Sequence, residues 1–206
     1  MALPGIPVAS VSDLETYGML TGIKTQPRRD QALDAFAEMY APAVGTGPVM
    51  DYLGQTGLEA LKGADILSTA PQKYHSTVEY SDSPIGRNLQ GIAKVLLADL
   101  GTRIFNTQHI GYDTHANQGL YHLKLWTDLS QAITDFYDDL REHNAAENVL
   151  MFVFTEFGRR VRDNGAGTDH GSGGVAFAIG DAVKGGMYGE YPSLKAEDFL
   201  SIIRAA

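Results

Sequence analysis

The 206 residues predict a layered α/β fold with a mainly parallel sheet, on three observations. A wholly apolar run, NVLMFVFT (148–155), stops at a polar residue, as a strand covered on both faces does. A second strand-forming run, RIFNTQHI (103–110), precedes it. One long amphipathic stretch lies between the two, so strand, helix and strand make a right-handed crossover with helices on the sheet faces.

Up to Ser83 the chain is punctuated by Pro and Gly, and two apolar clusters there read as short helices. The first is DQALDAFAEMY (30–40) and the second PVMDYLGQTGLEALKGADIL (48–67), whose Val49, Leu53, Leu58 and Leu61 share one face. Gly54 and Gly57 weaken the second helix. From Ile85 the residues Leu89, Ile92, Ala93, Leu96, Leu97 and Leu100 follow a helical period, with Gly101 where a helix would stop. RIFNTQHI then supplies β-branched and aromatic residues for a strand. Leu120, Leu123, Trp126, Leu129, Ile133, Phe136 and Leu140 step by three or four, and TDFYDDLREH charges the other face of this long helix. NVLMFVFT and GVAFAIG (174–180) complete the strands. The elements group into an α/β core at 85–206 and a helical, loop-rich segment at 1–84 that packs on it, in one domain overall.

Composition narrows the function. The net charge of −9 repels an extended phosphate backbone, which argues against nucleic acid. No segment has the apolar length of a membrane span. With no cysteine, disulfides, thiolate nucleophiles and cysteine-ligated metals are excluded, so a metal would need His, Asp, Glu or other oxygen donors.

Two polar loops carry such donors. GYDTHANQ (111–118) follows the first strand and TEFGRRVRDNGAGTDHG (155–171) follows the second, at the sheet edge where α/β folds collect ligands. Asp113, His115, Glu156, Asp169 and His170 are five ligand-type residues without sulfur, which suits one or two divalent ions such as zinc, manganese or calcium. Two ions about 4 Å apart would clamp the oxygens of a phosphoryl or sulfuryl group. Arg159, Arg160 and Arg162 are candidate contacts to a tetrahedral anion. Singly, each residue has a plainer reading: Asp113 as a turn former, His75, His109 and His143 as surface or core residues, the arginines as a solvated turn. His122 divides evenly between supporting the site and packing.

These motifs resemble the DUF1501 family, a domain of unknown function within the alkaline phosphatase and sulfatase superfamily. GYDTHANQ, FTEFGRRVRDNGAGTDHG and GDAVKGGMYGEYPSL (180–194) carry the resemblance, over residues 86–194 strongly and the earlier ones loosely. It implies an alkaline-phosphatase-like three-layer α/β/α sandwich and a two-metal hydrolase site. Asp113 and His115 match the pair that binds one metal after a central strand. Glu156 stands where many members carry the Asp of a Ser-Asp-His-Gly motif, and His170, with Asp169 beside it, matches a later His-Gly ligand. A rival alignment equates Thr168-Asp169-His170-Gly171 with Ser-Asp-His-Gly itself. The Asp113–His115 spacing is shorter than in phosphatase relatives, and Phe157 stands at a metal-binding His position.

The superfamily's nucleophile and remaining Asp ligand belong to an earlier segment with no match here. The resemblance therefore implies the C-terminal part of a longer protein, with an exposed sheet edge that could associate. It also implies export to the periplasm, although the chain has no signal peptide. No catalytic nucleophile is identified; Thr114, Thr155 and Ser172 qualify by chemistry alone. The leading expectation is a metal-dependent hydrolase-type domain for small phosphate or sulfate esters. The alternative is a non-catalytic binding or assembly module of the same fold.

Overall fold

The computed structural model describes residues 11, 23, 26–67, 70 and 74–189. The chain divides into two compact units, residues 1–75 with 90–105 and residues 76–89 with 106–206. The last residues of the GDAVKGGMYGEYPSL motif, 190–194, lie outside the described residues.

The first unit holds helices α1 (Gln26–Tyr40) and α2 (Pro48–Leu67), joined through a 3-10 turn at Ala41–Ala43. Helix α2 has the bounds the sequence predicts, and α1 begins one turn earlier than predicted. Gly57 allows the two helices to meet, because a Cβ there would overlap the Tyr40 ring. Val49 and Leu53 are exposed and Leu58 is half-buried, while the side chain of Leu61 lies outside the described residues. Among the described residues of this unit, Ala70 and Val95 form a buried cluster, with Leu67, Ala98, Leu100 and Phe105 packed against it.

Helix α3 (Pro84–Leu97) has residues in both units. Ser83 caps its start, accepting the Gly86 N–H at 3.0 Å, and Pro84 takes the first helical position, where its missing N–H is harmless. The helix ends at Leu97, before the predicted Gly101, because Asp99 already turns left-handed at φ 50°.

The second unit is built on α4 (Gln118–Glu142). Its apolar stripe is buried from Leu129 onward, through Ala132, Phe136 and Leu140, whereas Leu120 and Leu123 are 78% and 69% exposed. The helix stops at Asn144, left-handed at φ 55°, where the Ala145 N–H returns to the Leu140 carbonyl at 2.8 Å.

The predicted sheet is where structure and sequence part. Among the described residues there are two two-stranded antiparallel sheets: β1 (Met151–Val153) with β4 (Phe177–Ile179), and β2 (Gly158–Asp163) with β3 (Thr168–Gly171). The protein is a small mixed α/β domain, and the expected alkaline-phosphatase-like three-layer sandwich with a mainly parallel sheet is corrected accordingly. Residues 103–110 alternate in exposure as an extended chain does, but no described residue forms a ladder with them. A strand exists only through its partner, so an apolar, β-branched composition was not enough. In the run around β1, Leu150, Phe152 and Phe154 are exposed while Met151 and Val153 are half-buried. One face is bare, and a wholly apolar sequence gives no alternation from which to read that.

The β2–β3 hairpin falls where loops were expected. Gly and Asp are poor strand formers, but Gly158 sits opposite Gly171, and a Cβ on Gly158 would lie 2.6 Å from the Gly171 carbonyl oxygen. Close backbone approach selects glycine there. Asn164 makes the turn, its Oδ1 accepting the N–H groups of Ala166 and Gly167 at 3.0 and 2.8 Å. The register runs Arg159 to His170 and Asp163 to Thr168, so residues 160–162 oppose Asp169 alone in a bulge.

Residues 76–83 are fastened along α4 by a row of carboxylates at positions 135, 139 and 142. Asp135 accepts the Ser81 N–H at 2.9 Å, Asp139 the Tyr80 hydroxyl at 2.7 Å, and Glu142 the Thr77 N–H and hydroxyl at 3.1 and 3.0 Å. Asp135 and Asp139 are buried, although the sequence assigned this stretch of α4 to a solvated face. No helix among the described residues is long and apolar enough to cross a membrane.

Candidate metal centre

The loop at 111–117 is shaped by Tyr112. Its ring meets the His109, His122 and Trp126 rings edge-on at centroid distances of 5.3, 5.7 and 5.6 Å. Its hydroxyl lies 3.0 Å from His109 Nδ1, and burial raises the phenol pKa while lowering that of His109. Gly111, at φ 106°, turns the chain into this anchor, and the Thr114 N–H closes a tight turn on the Tyr112 carbonyl at 2.9 Å. Asp113 and His115 project outward from either side of Thr114.

Arg159 ties this loop to the hairpin. Its guanidinium donates to the carbonyls of Tyr112 and Thr114, at 2.5 and 2.6 Å, and to the carbonyl of Thr168 in β3. A planar fork holds its donors in fixed directions on two separate terminal nitrogens, so it reaches acceptors on two segments more readily than an ammonium, whose donors sit on one atom. Gln118, at the start of α4, makes a second tie by accepting the Thr168 N–H at 2.7 Å and its hydroxyl at 2.9 Å. His122 makes a third, its Nε2 lying 2.9 Å from Thr114 Oγ1 and 3.2 Å from the Tyr112 carbonyl. His122 thus supports the loop rather than joining the ligand-type cluster.

With the loop so held, Asp113, His115 and His170 converge: one ligand-type atom from each lies within 4.8 Å of the others. His170 Nε2 donates to Asp113 Oδ1 at 2.6 Å, and His115 Nε2 lies 3.3 Å from the same oxygen. The His115 and His170 rings are 5.0 Å apart. Phe157 stacks on His170 at 4.4 Å and 19°, which fixes the plane of the imidazole from the position a sequence alignment would give to another ligand. Hydrogen bonding from His170 is the main reason that the Asp113 carboxyl is held below the ordinary carboxylate range.

Asp169 is nearby but differently engaged. Its Oδ1 accepts from Asn164 Nδ2 at 3.0 Å and lies 3.3 Å from His115 Nδ1, the ring nitrogen turned away from Asp113. These contacts, Asn164 first, lower its pKa. Glu156 is exposed in the bend between β1 and β2 and is not part of the converging set. Arg160 is exposed beside the cluster, its Nε donating to the His170 carbonyl at 3.2 Å. Arg162 is exposed on the bulge.

The donor set fits one borderline divalent ion. A tetrahedral ion with bonds of about 2.1 Å separates its ligand atoms by about 3.4 Å. The His115–Asp113 pair is already at 3.3 Å, and the His170–Asp113 pair at 2.6 Å needs to open by less than an ångström. Two imidazoles and one carboxylate suit zinc, manganese or iron better than calcium, which takes six to eight oxygens. Among the described residues one such group of three ligand-type side chains converges, enough for one ion rather than two.

Sequence reasoning missed Tyr112, Gln118 and Asn164. Their signals were weak: an aromatic beside the Asp-Thr-His motif, a polar residue at a helix start, and an Asn before Gly in a hairpin turn.

No curated protein and no solved structure matches the chain. The family described as "Protein of unknown function (DUF1501)" matches residues 24–202, nearly the whole chain, and the protein belongs to that family.

Proposed function

We propose that this DUF1501 member holds one divalent cation of the zinc or manganese type through Asp113, His115 and His170, and acts as a hydrolase on small phosphate or sulfate esters. The convergence of those three side chains from two segments 57 residues apart is the observation that carries the reading. A cation held there supplies Lewis acidity to an ester oxygen. Three protein ligands leave coordination positions open, as catalytic sites require, and all three residues are exposed to solutes.

The protein's own groups have separable tasks. Asp113 would bring negative charge to a cation and His115 and His170 nitrogen donors; the proton that His170 Nε2 shares with Asp113 would leave to solvent, with Nδ1 taking one up so that the ring stays neutral. Arg160 stands at the rim, anchored by its Nε, with its terminal nitrogens in no hydrogen bond among the described residues; they can contact the anionic ester. The Thr168 hydroxyl is occupied as a donor to Gln118, whereas Thr114 Oγ1, 2.9 Å from His122 Nε2, has the spacing of a nucleophile and its base, so water and Thr114 are both candidate nucleophiles.

Metal analysis tests the reading. The purified protein, stripped with chelator and then titrated with Zn²⁺ and Mn²⁺, should take up one equivalent, and the Asp113→Ala/His170→Ala double variant none. Turnover of aryl phosphate or aryl sulfate esters should appear with metal and vanish on chelation. Metal uptake unchanged in the double variant would refute the ligand assignment, and stoichiometric binding without turnover would leave a non-catalytic binding module.

A further inference from the structure

We infer that Asp169 is a positioning residue, which fixes His115 in the tautomer that turns Nε2 toward the cation. The inference rests on the metal reading above for its function, and on three contacts for its geometry. Asp169 Oδ1 faces His115 Nδ1 at 3.3 Å, Asn164 Nδ2 grips the same oxygen at 3.0 Å, and Asn164 Nδ2 also lies 3.2 Å from the His115 carbonyl. One Asn therefore orients the carboxylate and the residue that the carboxylate orients.

The proton follows from competition between the two acids. A neutral imidazole carries one N–H, and His115 has a carboxylate at each nitrogen: Asp113 at Nε2 and Asp169 at Nδ1, both at 3.3 Å. Asp113 Oδ1 already accepts the closer N–H of His170 at 2.6 Å. Asp169 Oδ1 also accepts from Asn164, so direction rather than occupancy decides: the Nδ1–Asp169 approach has hydrogen-bond geometry and the Nε2–Asp113 approach is a proximity of charges alone, which puts the proton on Nδ1 and turns the Nε2 lone pair toward Asp113 and His170. Metal-bound histidines commonly donate their second N–H to a carboxylate in this way, and loss of that partner weakens metal binding about 10–100-fold. The hairpin bulge sets Asp169 opposite three residues of β2, with Thr168 held by Gln118 and Arg159, so its carboxylate is directed by a rigid backbone.

The prediction separates Asp169 from a direct ligand. In Asp169→Asn the amide oxygen can replace Oδ1 and keep both hydrogen bonds, so Zn²⁺ affinity should fall less than about fivefold. In Asp169→Ala it should fall about 10–100-fold with one site retained. A direct ligand would behave otherwise, since an amide is a poor substitute for a carboxylate and both variants would lose affinity equally.

Affinity is read by competition with a chromogenic chelator, and folding of each variant by circular dichroism. Nitrogen-15 spectra of the imidazoles, in metal-free protein above pH 8, read the tautomer directly. The His115 proton should be on Nδ1 in the wild type and in Asp169→Asn, and move toward Nε2 in Asp169→Ala. Equal losses in the two variants, or a wild-type proton on Nε2, would overturn the inference. Failure of the wild type to bind any metal would overturn the metal reading instead, and the tautomer result would still stand or fall by itself.

Discussion

Removing the Arg159 guanidinium tests whether this residue builds the site or merely faces it. In Arg159→Ala three backbone carbonyls, those of Tyr112, Thr114 and Thr168, lose a charged donor in a half-buried setting. A hydrogen bond to a charged group contributes about 1.5–3 kcal/mol when sheltered, and partial exposure lets water replace some of it. Taking about 1 kcal/mol for each carbonyl gives a loss of roughly 2–4 kcal/mol, which for a chain of this size lowers Tm by about 5–15 °C. Arg159→Lys should recover less than half, because an ammonium carries its donors on one strongly hydrated atom where the guanidinium spreads them over two. Thermal denaturation followed by circular dichroism gives Tm, and Zn²⁺ competition on the same samples shows whether Asp113 and His170 have drifted apart. A variant with unchanged Tm and unchanged metal affinity, but impaired ester turnover, would make Arg159 a substrate contact and refute the clamp.

Other outcomes follow from neighbouring contacts. Asp139→Ala, which deprives the Tyr80 hydroxyl of its buried acceptor, should cost about 2–4 kcal/mol in urea denaturation, while Asp138→Ala, one residue away and exposed, should be nearly silent. The Glu142 carboxyl is held below its ordinary value, chiefly by the Thr77 N–H. Its contribution is therefore fully present above the unfolded carboxylate range and fades as pH falls through the lower folded value; Glu142→Gln should flatten that part of a urea-midpoint profile taken between about pH 6 and 3. Gly158→Ala places a methyl 2.6 Å from the Gly171 carbonyl oxygen, so the hairpin must spread, and both Tm and metal affinity should drop together. Phe157→Ala frees the His170 ring and should weaken Zn²⁺ binding several-fold with little change in Tm.

How much of this was legible depended on whether a residue's role is local. Helix α2 could be placed to the residue because periodicity and flanking Pro and Gly are properties of the segment itself. Residues 103–110 could not, because strand pairing is decided by a partner elsewhere, and the same composition serves an extended chain with Ile104 in solvent. The Asp113, His115 and His170 grouping was reached from a parallel sheet that the described residues do not form; what brings them together is a hairpin, an arginine fork and a half-buried tyrosine. Asp135, Asp139 and Glu142 illustrate the opposite failure. Their spacing puts them on one helical face, but acidic residues in a helix are usually solvated, and nothing local revealed that residues 76–83 would lie across them.

That strap also imposes an order on synthesis. Its bonds to α4 span 54 to 66 residues, so residues 76–83 leave the ribosome well before the acids that receive them have been made. At 5–20 residues per second the wait is roughly 3–13 s. During it the hydroxyls and amides of this stretch have only water to bind, and the nascent chain can complete the second unit only after translation has passed Glu142.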